Sequence, residues 1–286
     1  MTRLIPALSA IADRYDVVYC DLWGCLHDGR RPHAAAVTAL EAFRATGGRV
    51  VLMTNAPRPS TIVIEQLDRM GVPRGAWDIV VSSGDAAQRG LLAGDVGRRV
   101  FHIGPPKDES FFATLPADGP AITRVPLAEA EGIVCTGLLD DLTETAADYR
   151  PLLAEGVARG LTLLCANPDI VADLGTVRLP CAGALAALYE ELGGRTVSYG
   201  KPHAPIYALA AQRLGLTPAA RILVIGDGPV TDIAGAAAQG LDALFVTGGL
   251  AADQFGPDVE APDPALLEGW LADRRLDPAW AIGRLR

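Results

Sequence analysis

Asp16-Val17-Val18-Tyr19-Cys20-Asp21-Leu22-Trp23-Gly24 reads as a short, continuously apolar strand that ends on a carboxylate and runs into a turn. A strand exposed on one face alternates apolar and polar residues; one without alternation is buried on both faces, as in a parallel sheet covered by helices. The same pattern recurs along the chain. Further strand candidates are 49–54, 79–82, 98–103, 132–136, 161–166, 195–199, 221–226 and 242–246. Between them, Ala- and Leu-rich stretches with helical spacing occupy 33–46, 59–70, 143–159, 182–192, 203–214 and 230–239. Strand–helix alternation of this kind predicts an α/β protein with mostly parallel sheets. Pro59-Ser60-Thr61 and His203-Ala204-Pro205 open helices, and Gly71 and Gly215 close them, following the asymmetry of proline at helix starts and glycine at helix ends. The Asp-, Pro- and Gly-rich stretch 251–264 is expected to be a surface loop before a last helix, 264–273.

The bulk properties narrow the function. The 286 residues leave room for one or two domains. Half are hydrophobic and 21% are charged, as in an ordinary soluble enzyme. A net charge of -9 argues against a nucleic-acid partner, which would select a basic face. An anionic small molecule stays compatible, because local charge in a pocket can oppose the overall sign. Five cysteines, Cys20, Cys25, Cys135, Cys165 and Cys181, are scattered without a CxxC pair, which points to buried thiols rather than disulfides or a zinc site. The start, Met1-Thr2-Arg3-Leu4-Ile5-Pro6, lacks the apolar run of a secretory signal. No stretch approaches the ~20 apolar residues that span a bilayer. The expected location is the cytoplasm, with no membrane association.

Ligands of open α/β sheets bind beyond the carboxyl ends of the strands, and three strand ends here carry reactive groups. One ends in Asp21-Leu22-Trp23-Gly24, the next in Thr54-Asn55, and a third in Gly226-Asp227-Gly228 followed by Thr231-Asp232; Gly200-Lys201-Pro202 precedes a helix. Singly, each is unremarkable: an Asp at a strand end usually caps a turn, and a Lys before Pro is usually solvated. Together they suit one reaction. A carboxylate attacking a phosphate dianion needs positive charge beside it. Asp21 and Asp227 could share Mg²⁺, a hard ion that takes a few carboxylates, water and substrate phosphate. Lys201 adds a second cation, while the Thr54 hydroxyl and nearby backbone N–H groups hold phosphate oxygens. Attack by Asp21 would give an aspartyl-phosphate and split hydrolysis into two easier steps.

These segments, in this order, resemble the four ordered motifs of the haloacid dehalogenase (HAD) superfamily. The resemblance covers most of the chain. The insert of about 145 residues between Thr54 and Lys201 resembles the large α/β cap of the class II, type A group, the NagD-like and p-nitrophenylphosphatase-like proteins. Asn167-Pro168-Asp169 looks like a turn common in such caps, and Gly200-Lys201-Pro202 is typical of that group. The resemblance implies a Rossmann-like, doubly wound core from residues 1–84 and 196–286, with a cap from 85–195. It implies Asp21 as nucleophile and metal ligand. Asp227 would be a further ligand, Asp232 a support for the metal directly or through water, and the backbone carbonyl of Trp23 another metal contact. Thr54, Asn55 and Lys201 would bind phosphate. The implied cofactor is Mg²⁺ and the implied partner a small phosphorylated metabolite. Caps in this group often join dimers, so a homodimer through the cap belongs to the same expectation.

One departure matters. HAD phosphatases usually carry a second Asp two residues after the nucleophile, where it protonates the leaving group and then activates water; here Trp23 stands there. The backbone carbonyl survives, but an indole donates a hydrogen bond and cannot move protons near neutral pH. General acid–base catalysis is worth about 10²–10⁴ in rate, or roughly 3–5 kcal/mol of barrier. The leading reading is therefore a slow or substrate-restricted phosphatase. The alternatives are a phosphoryl-ligand sensor with little catalysis and a carbon–halogen hydrolase, since haloacid dehalogenases also place an aromatic at this position. His27 and Asp28 are candidates for replacement acid–base duty. His203 is a helix-start residue close in sequence to Lys201, and Arg58 and Arg178 are candidate contacts for anions.

Overall fold

The computed structural model describes residues 2–174 and 177–286. Seven strands form the main sheet in the order Arg3–Leu4, Trp280–Ile282, Asp242–Val246, Ile222–Gly226, Val17–Cys20, Arg49–Thr54 and Ile79–Ser82. Every neighbouring pair in it is parallel. Successive residues of one strand point to opposite faces, and the packing follows suit. Val17, Tyr19, Val51, Met53 and Val224 join one apolar cluster. Their neighbours Val18, Cys20, Val50, Leu52, Leu223 and Ile225 join another. The sheet is thus buried on both sides, which is why its strands read as unbroken apolar runs.

A second, five-stranded parallel sheet has the order Arg195–Ser198, Thr162–Cys165, Gly132–Cys135, Arg99–Ile103 and Thr123–Arg124. One face packs under the helix Ala182–Glu191 through Ile133, Leu163, Leu185 and Tyr189. The other face sends Val100, Val134 and Leu164 into the same cluster as Val51 and Met53 of the main sheet. The helix Ser83–Ala93 supplies Ala86, Ala87 and Leu91 to that shared cluster. It opens with a reciprocal cap: the Ser82 hydroxyl accepts from Asp85 N at 3.0 Å, and the Asp85 carboxylate accepts from Ser82 N at 3.3 Å. The same carboxylate accepts from Arg213 Nη1 at 2.6 Å and Ser60 N at 3.0 Å, tying together three helices.

The expected domain limits fall within elements of this fold. A cut between 84 and 85 falls inside the helix Ser83–Ala93, and a cut between 195 and 196 falls inside the strand Arg195–Ser198. That strand hydrogen-bonds to Thr162–Cys165 of the second sheet, so the chain returns to the main sheet only after Ser198. An antiparallel hairpin, Val171–Leu174 with Val177–Pro180, was not foreseen. The expected helix 230–239 begins instead as a wide π-type turn, Pro229–Ile233, followed by the helix Ala234–Ala238. The expected helix 143–159 starts as a tight 3₁₀ turn, Ala146–Tyr149, and becomes α-helical only over Arg150–Ala158, with Pro151 in its first turn where a missing N–H costs nothing. Among the described residues no helix is long and apolar enough to cross a membrane. All five cysteines are free, four of them buried.

Candidate active site

Parallel strands deliver their carboxyl ends to one edge of the sheet. Asp21 follows Val17–Cys20 and is held there as its N–H donates to Ile225 O at 2.8 Å. Thr54 closes the strand next door, and Asp227 follows Ile222–Gly226 on the other side. Above them lies a cavity of ≈ 620 Å³ that Asp21, Trp23, Thr54, Lys201 and Asp227 line from the main sheet, and Asp108 and Asp169 from the second.

Lys201 is the hub. Its Nζ donates to Asp21 Oδ1 at 2.5 Å, Asp232 Oδ1 at 2.7 Å and Met53 O at 3.3 Å. Burial alone would push this ammonium down, but Asp21, Asp232 and Asp169 reverse the effect and hold it well above the ordinary lysine value. The π-type turn at Pro229–Ile233 brings Asp232 to it. Asp232 N and Ile233 N both donate to Gly228 O, and Asp232 Oδ2 accepts from Gly228 N at 3.0 Å.

Asp21, Cys25 and Asp227 bring one donor atom each to within 4.8 Å of one another, and all three are buried. Burial, then Asp21 and Asp232, drive the Asp227 carboxyl well above the carboxylate range, and burial likewise raises Asp21. Buried carboxylates this close repel one another unless a cation lies between them. Two oxygen donors suit a hard ion such as Mg²⁺. The Cys25 thiol does not: burial, then Asp227 and Asp21, push it well above its usual value, so it stays protonated and soft. Asp232 is outside this trio, and its Oδ1 is held by Lys201 Nζ at 2.7 Å. Cys25, expected from the sequence to be a buried thiol, is 1% exposed and packs in the core beside these carboxylates.

The other expected residues separate by geometry. Thr54 is buried, lines the cavity and accepts from Ala56 N at 3.2 Å. Asn55 lines the cavity next to it, with its side chain turned to partners within the protein. Its Oδ1 accepts from Lys201 N at 2.7 Å, and Nδ2 donates to Lys201 O and to Asp169 Oδ1, both at 2.9 Å. Both amide protons are engaged, so the side chain positions Lys201 and the Asn-Pro-Asp turn rather than phosphate. His27 is only 1% exposed and packs edge-on against Trp23 at 5.3 Å, while its Nδ1 accepts from Gly29 N at 3.0 Å. Burial lowers its imidazole to about 4, and it does not line the cavity, so it is no proton carrier for the site. Asp28 lines the cavity, but its Oδ1 caps the N–H groups of Arg30 and Arg31 at 2.8 and 2.7 Å. His203 is exposed and outside the cavity wall. Arg58 does line it, with Nε 3.7 Å from Asp108 Oδ1. Arg178 lies on the unforeseen hairpin strand Val177–Pro180.

Residues 18–115 match the family described as haloacid dehalogenase-like hydrolase, and residues 198–268 match the related HAD-hydrolase-like family. A hydrolase of the haloacid dehalogenase-like family from Brucella suis 1330 superposes with a TM-score of 0.85 at 41% identity, over 99% of this chain and 100% of that one. The chain belongs to the haloacid dehalogenase-like hydrolase family. It is also 32% identical over 250 residues to D-glycerol 3-phosphate phosphatase of Mycobacterium tuberculosis (strain ATCC 25618 / H37Rv), covering 85% of this chain and 66% of that relative. The crystal structure of the glycerol phosphate phosphatase from that organism in complex with magnesium gives a TM-score of 0.65 at 28% identity, over 84% of this chain and 70% of that one. The expected HAD-like hydrolase, its Rossmann-like parallel core and its Mg²⁺ cofactor accord with these relatives and with the oxygen donors above.

Proposed function

We propose that this HAD-like hydrolase is a magnesium-dependent phosphatase that cleaves phosphomonoesters through an aspartyl-phosphate on Asp21. The observation that carries the reading is the Lys201 ammonium held between Asp21 and Asp232 at the floor of a cavity, with Asp227 beside the nucleophile. Asp21, Asp227 and the Trp23 carbonyl would hold Mg²⁺, with Asp232 as a further support, and the ion would supply positive charge for the phosphate. Lys201 orients the Asp21 carboxylate and offsets its repulsion from the incoming dianion. The Thr54 hydroxyl donates to a phosphate oxygen. Asp21 attacks phosphorus, the ester bond breaks, and water then releases phosphate from the aspartate.

The substrate class is a small phosphorylated metabolite. The name of the curated relative makes a short polyol phosphate the first compound to try, and its Trp23 makes this chain a slower catalyst than a HAD enzyme with two motif carboxylates. Unpaired cysteines favour a reducing compartment, the cytoplasm. Phosphate release from p-nitrophenyl phosphate and glycerol 3-phosphate tests the reading. Release should require Mg²⁺, stop with a chelator, and fall by at least about 10³ in Asp21→Asn, the scale of losing a nucleophile. A clean preparation that turns over no aryl, acyl or sugar phosphate would refute it. Stabilisation by such a phosphate without turnover would instead favour the sensor reading that Trp23 motivates.

A further inference from the structure

Trp23 leaves the proposed reaction without its usual proton donor, yet four carboxyl groups outside the metal cluster line the cavity: Asp28, Asp108, Asp141 and Asp169. Two of them are committed elsewhere, and a third stands apart from the Lys201 network. Asp28 caps two backbone N–H groups, which hold its carboxyl below the usual range. Asp141 is paired with Lys107 at 2.5 Å. Asp108 faces Arg58. Asp169 remains, and it is wired to the nucleophile. Asn55 Nδ2 donates to Asp169 Oδ1 and to Lys201 O, each at 2.9 Å, and Lys201 Nζ holds Asp21 Oδ1 at 2.5 Å. The Asn167 side chain braces the turn from behind, its Oδ1 accepting from Asp169 N at 3.0 Å.

We propose that Asp169 is the acid–base residue of this site, delivered from the second sheet across the cavity to the place that Trp23 cannot serve. The inference rests on the phosphatase reading. As Asp21 attacks phosphorus and the P–O ester bond breaks, the Asp169 carboxylic acid gives its proton to the departing oxygen, which leaves as an alcohol. The Asp169 carboxylate then takes a proton from water as that water attacks the phosphorus of the aspartyl-phosphate. Asp21 is freed, phosphate departs, and Asp169 is again an acid. The charged groups around it are Lys201, Asp21 and Asp232, with the Cys181 thiol close by. Burial raises the Asp169 carboxyl to about 6, against the opposing pull of Lys201 and the Asn55 hydrogen bond, so both protonation states are accessible near neutral pH.

Leaving-group dependence tests this in the full-length, Mg²⁺-loaded enzyme. Asp169→Asn keeps the shape and an acceptor for Asn55 but carries no transferable proton. It should lower kcat on glycerol 3-phosphate by about 10²–10³, and on p-nitrophenyl phosphate, whose phenolate leaves unaided, by less than about tenfold. The unmutated enzyme should lose activity on the alkyl ester as pH rises above about 6. Asp169→Glu should keep that limb and Asp169→Asn should lack it. Adding Trp23→Asp to Asp169→Asn should restore alkyl-ester hydrolysis. Equal losses on both substrates, an unchanged pH profile, or no rescue would overturn Asp169 as the acid and leave it a positioning residue. No turnover of either ester by the unmutated enzyme would overturn the phosphatase reading as well.

Discussion

Asp227 is walled in by backbone on two sides. A Cβ built on Gly249 would stand 1.9 Å from Asp227 Oδ2, and one on Gly24 would stand 2.1 Å from it. Neither position tolerates a methyl group without moving that carboxylate. Gly24 also has φ +72, where an L-residue is strained by about 1 kcal/mol, so Gly249→Ala isolates the steric effect better. That variant should fold, since the clash can relax by turning one side chain. It should raise the Mg²⁺ concentration for half-maximal activity at least about tenfold, the cost of ~1.4 kcal/mol in metal binding. Magnesium titrations of the two proteins would decide, and superimposable curves would show that Asp227 can shift without harm to the metal. Gly24 and Gly249 thus together set the room around the Asp227 carboxylate. That cannot be seen from Gly24 alone, because the crowding comes from a strand 200 residues away in sequence order.

Elements that the sequence announces are those whose signal is local. The strands Val17–Cys20, Arg49–Thr54 and Ile222–Gly226 are unbroken apolar runs because both faces are buried, and their ends fix Asp21, Thr54 and Asp227 on one edge. The helix Ser83–Ala93 was not read, although Ser82 and Asp85 carry a capping pair, because its Gly- and Ala-rich face packs against other elements at close range: a Cβ on Gly90 would meet the Tyr199 ring at 2.1 Å. The hairpin beginning at Val171 and the strand Trp280–Ile282 are too short and mixed to stand out. Asp169 was read only as part of a turn, since its reach into the cavity depends on how the second sheet folds over the first. In the strand Arg99–Ile103, His102 packs edge-on against Phe112 at 4.9 Å and shares a 3.0 Å hydrogen bond with Thr136. Burial, then Arg124, lowers its imidazole to about 4. The unfolded chain therefore binds this proton first, so stability is complete above about pH 6.5 and is lost as pH falls toward 4. Partial exposure reduces a nominal ~3 kcal/mol to about 1–2 kcal/mol. His102→Gln should flatten the fall in thermal midpoint between pH 6.5 and 4.5. A slope equal to that of the unmutated protein would place the acid sensitivity elsewhere.

At the scale of the molecule, the two sheets share one apolar cluster through Ala86, Leu91 and Tyr199, while the cavity between them collects charge. Asp21, Asp227 and Asp232 are buried against a single ammonium, Lys201. Ionising all three would leave a surplus of two negative charges where water cannot screen them, and burial with this mutual repulsion holds the Asp227 carboxyl well above the carboxylate range. Folding concentrates this repulsion, and a divalent cation cancels it. A ligand that binds only the folded state stabilises it by RT ln(1 + [L]/Kd), about 1.4 kcal/mol at tenfold excess over Kd. For a chain of this size that corresponds to roughly 3–6 °C in Tm. Mg²⁺ should therefore raise the thermal midpoint by several degrees without any substrate, and excess chelator should reverse it. Asp227→Asn removes one of the three buried carboxyls and one of the two carboxylate donors in the group of Asp21, Cys25 and Asp227. Its midpoint without metal should equal or exceed that of the unmutated protein, and Mg²⁺ should no longer raise it. The two halves of this prediction oppose each other in sign, which separates charge relief from simple damage. A variant that melts lower in both conditions would mean that the Asp227 bond to Leu250 N, at 2.8 Å, matters more to the fold than the repulsion does. A variant still stabilised by Mg²⁺ would place the ion away from Asp227.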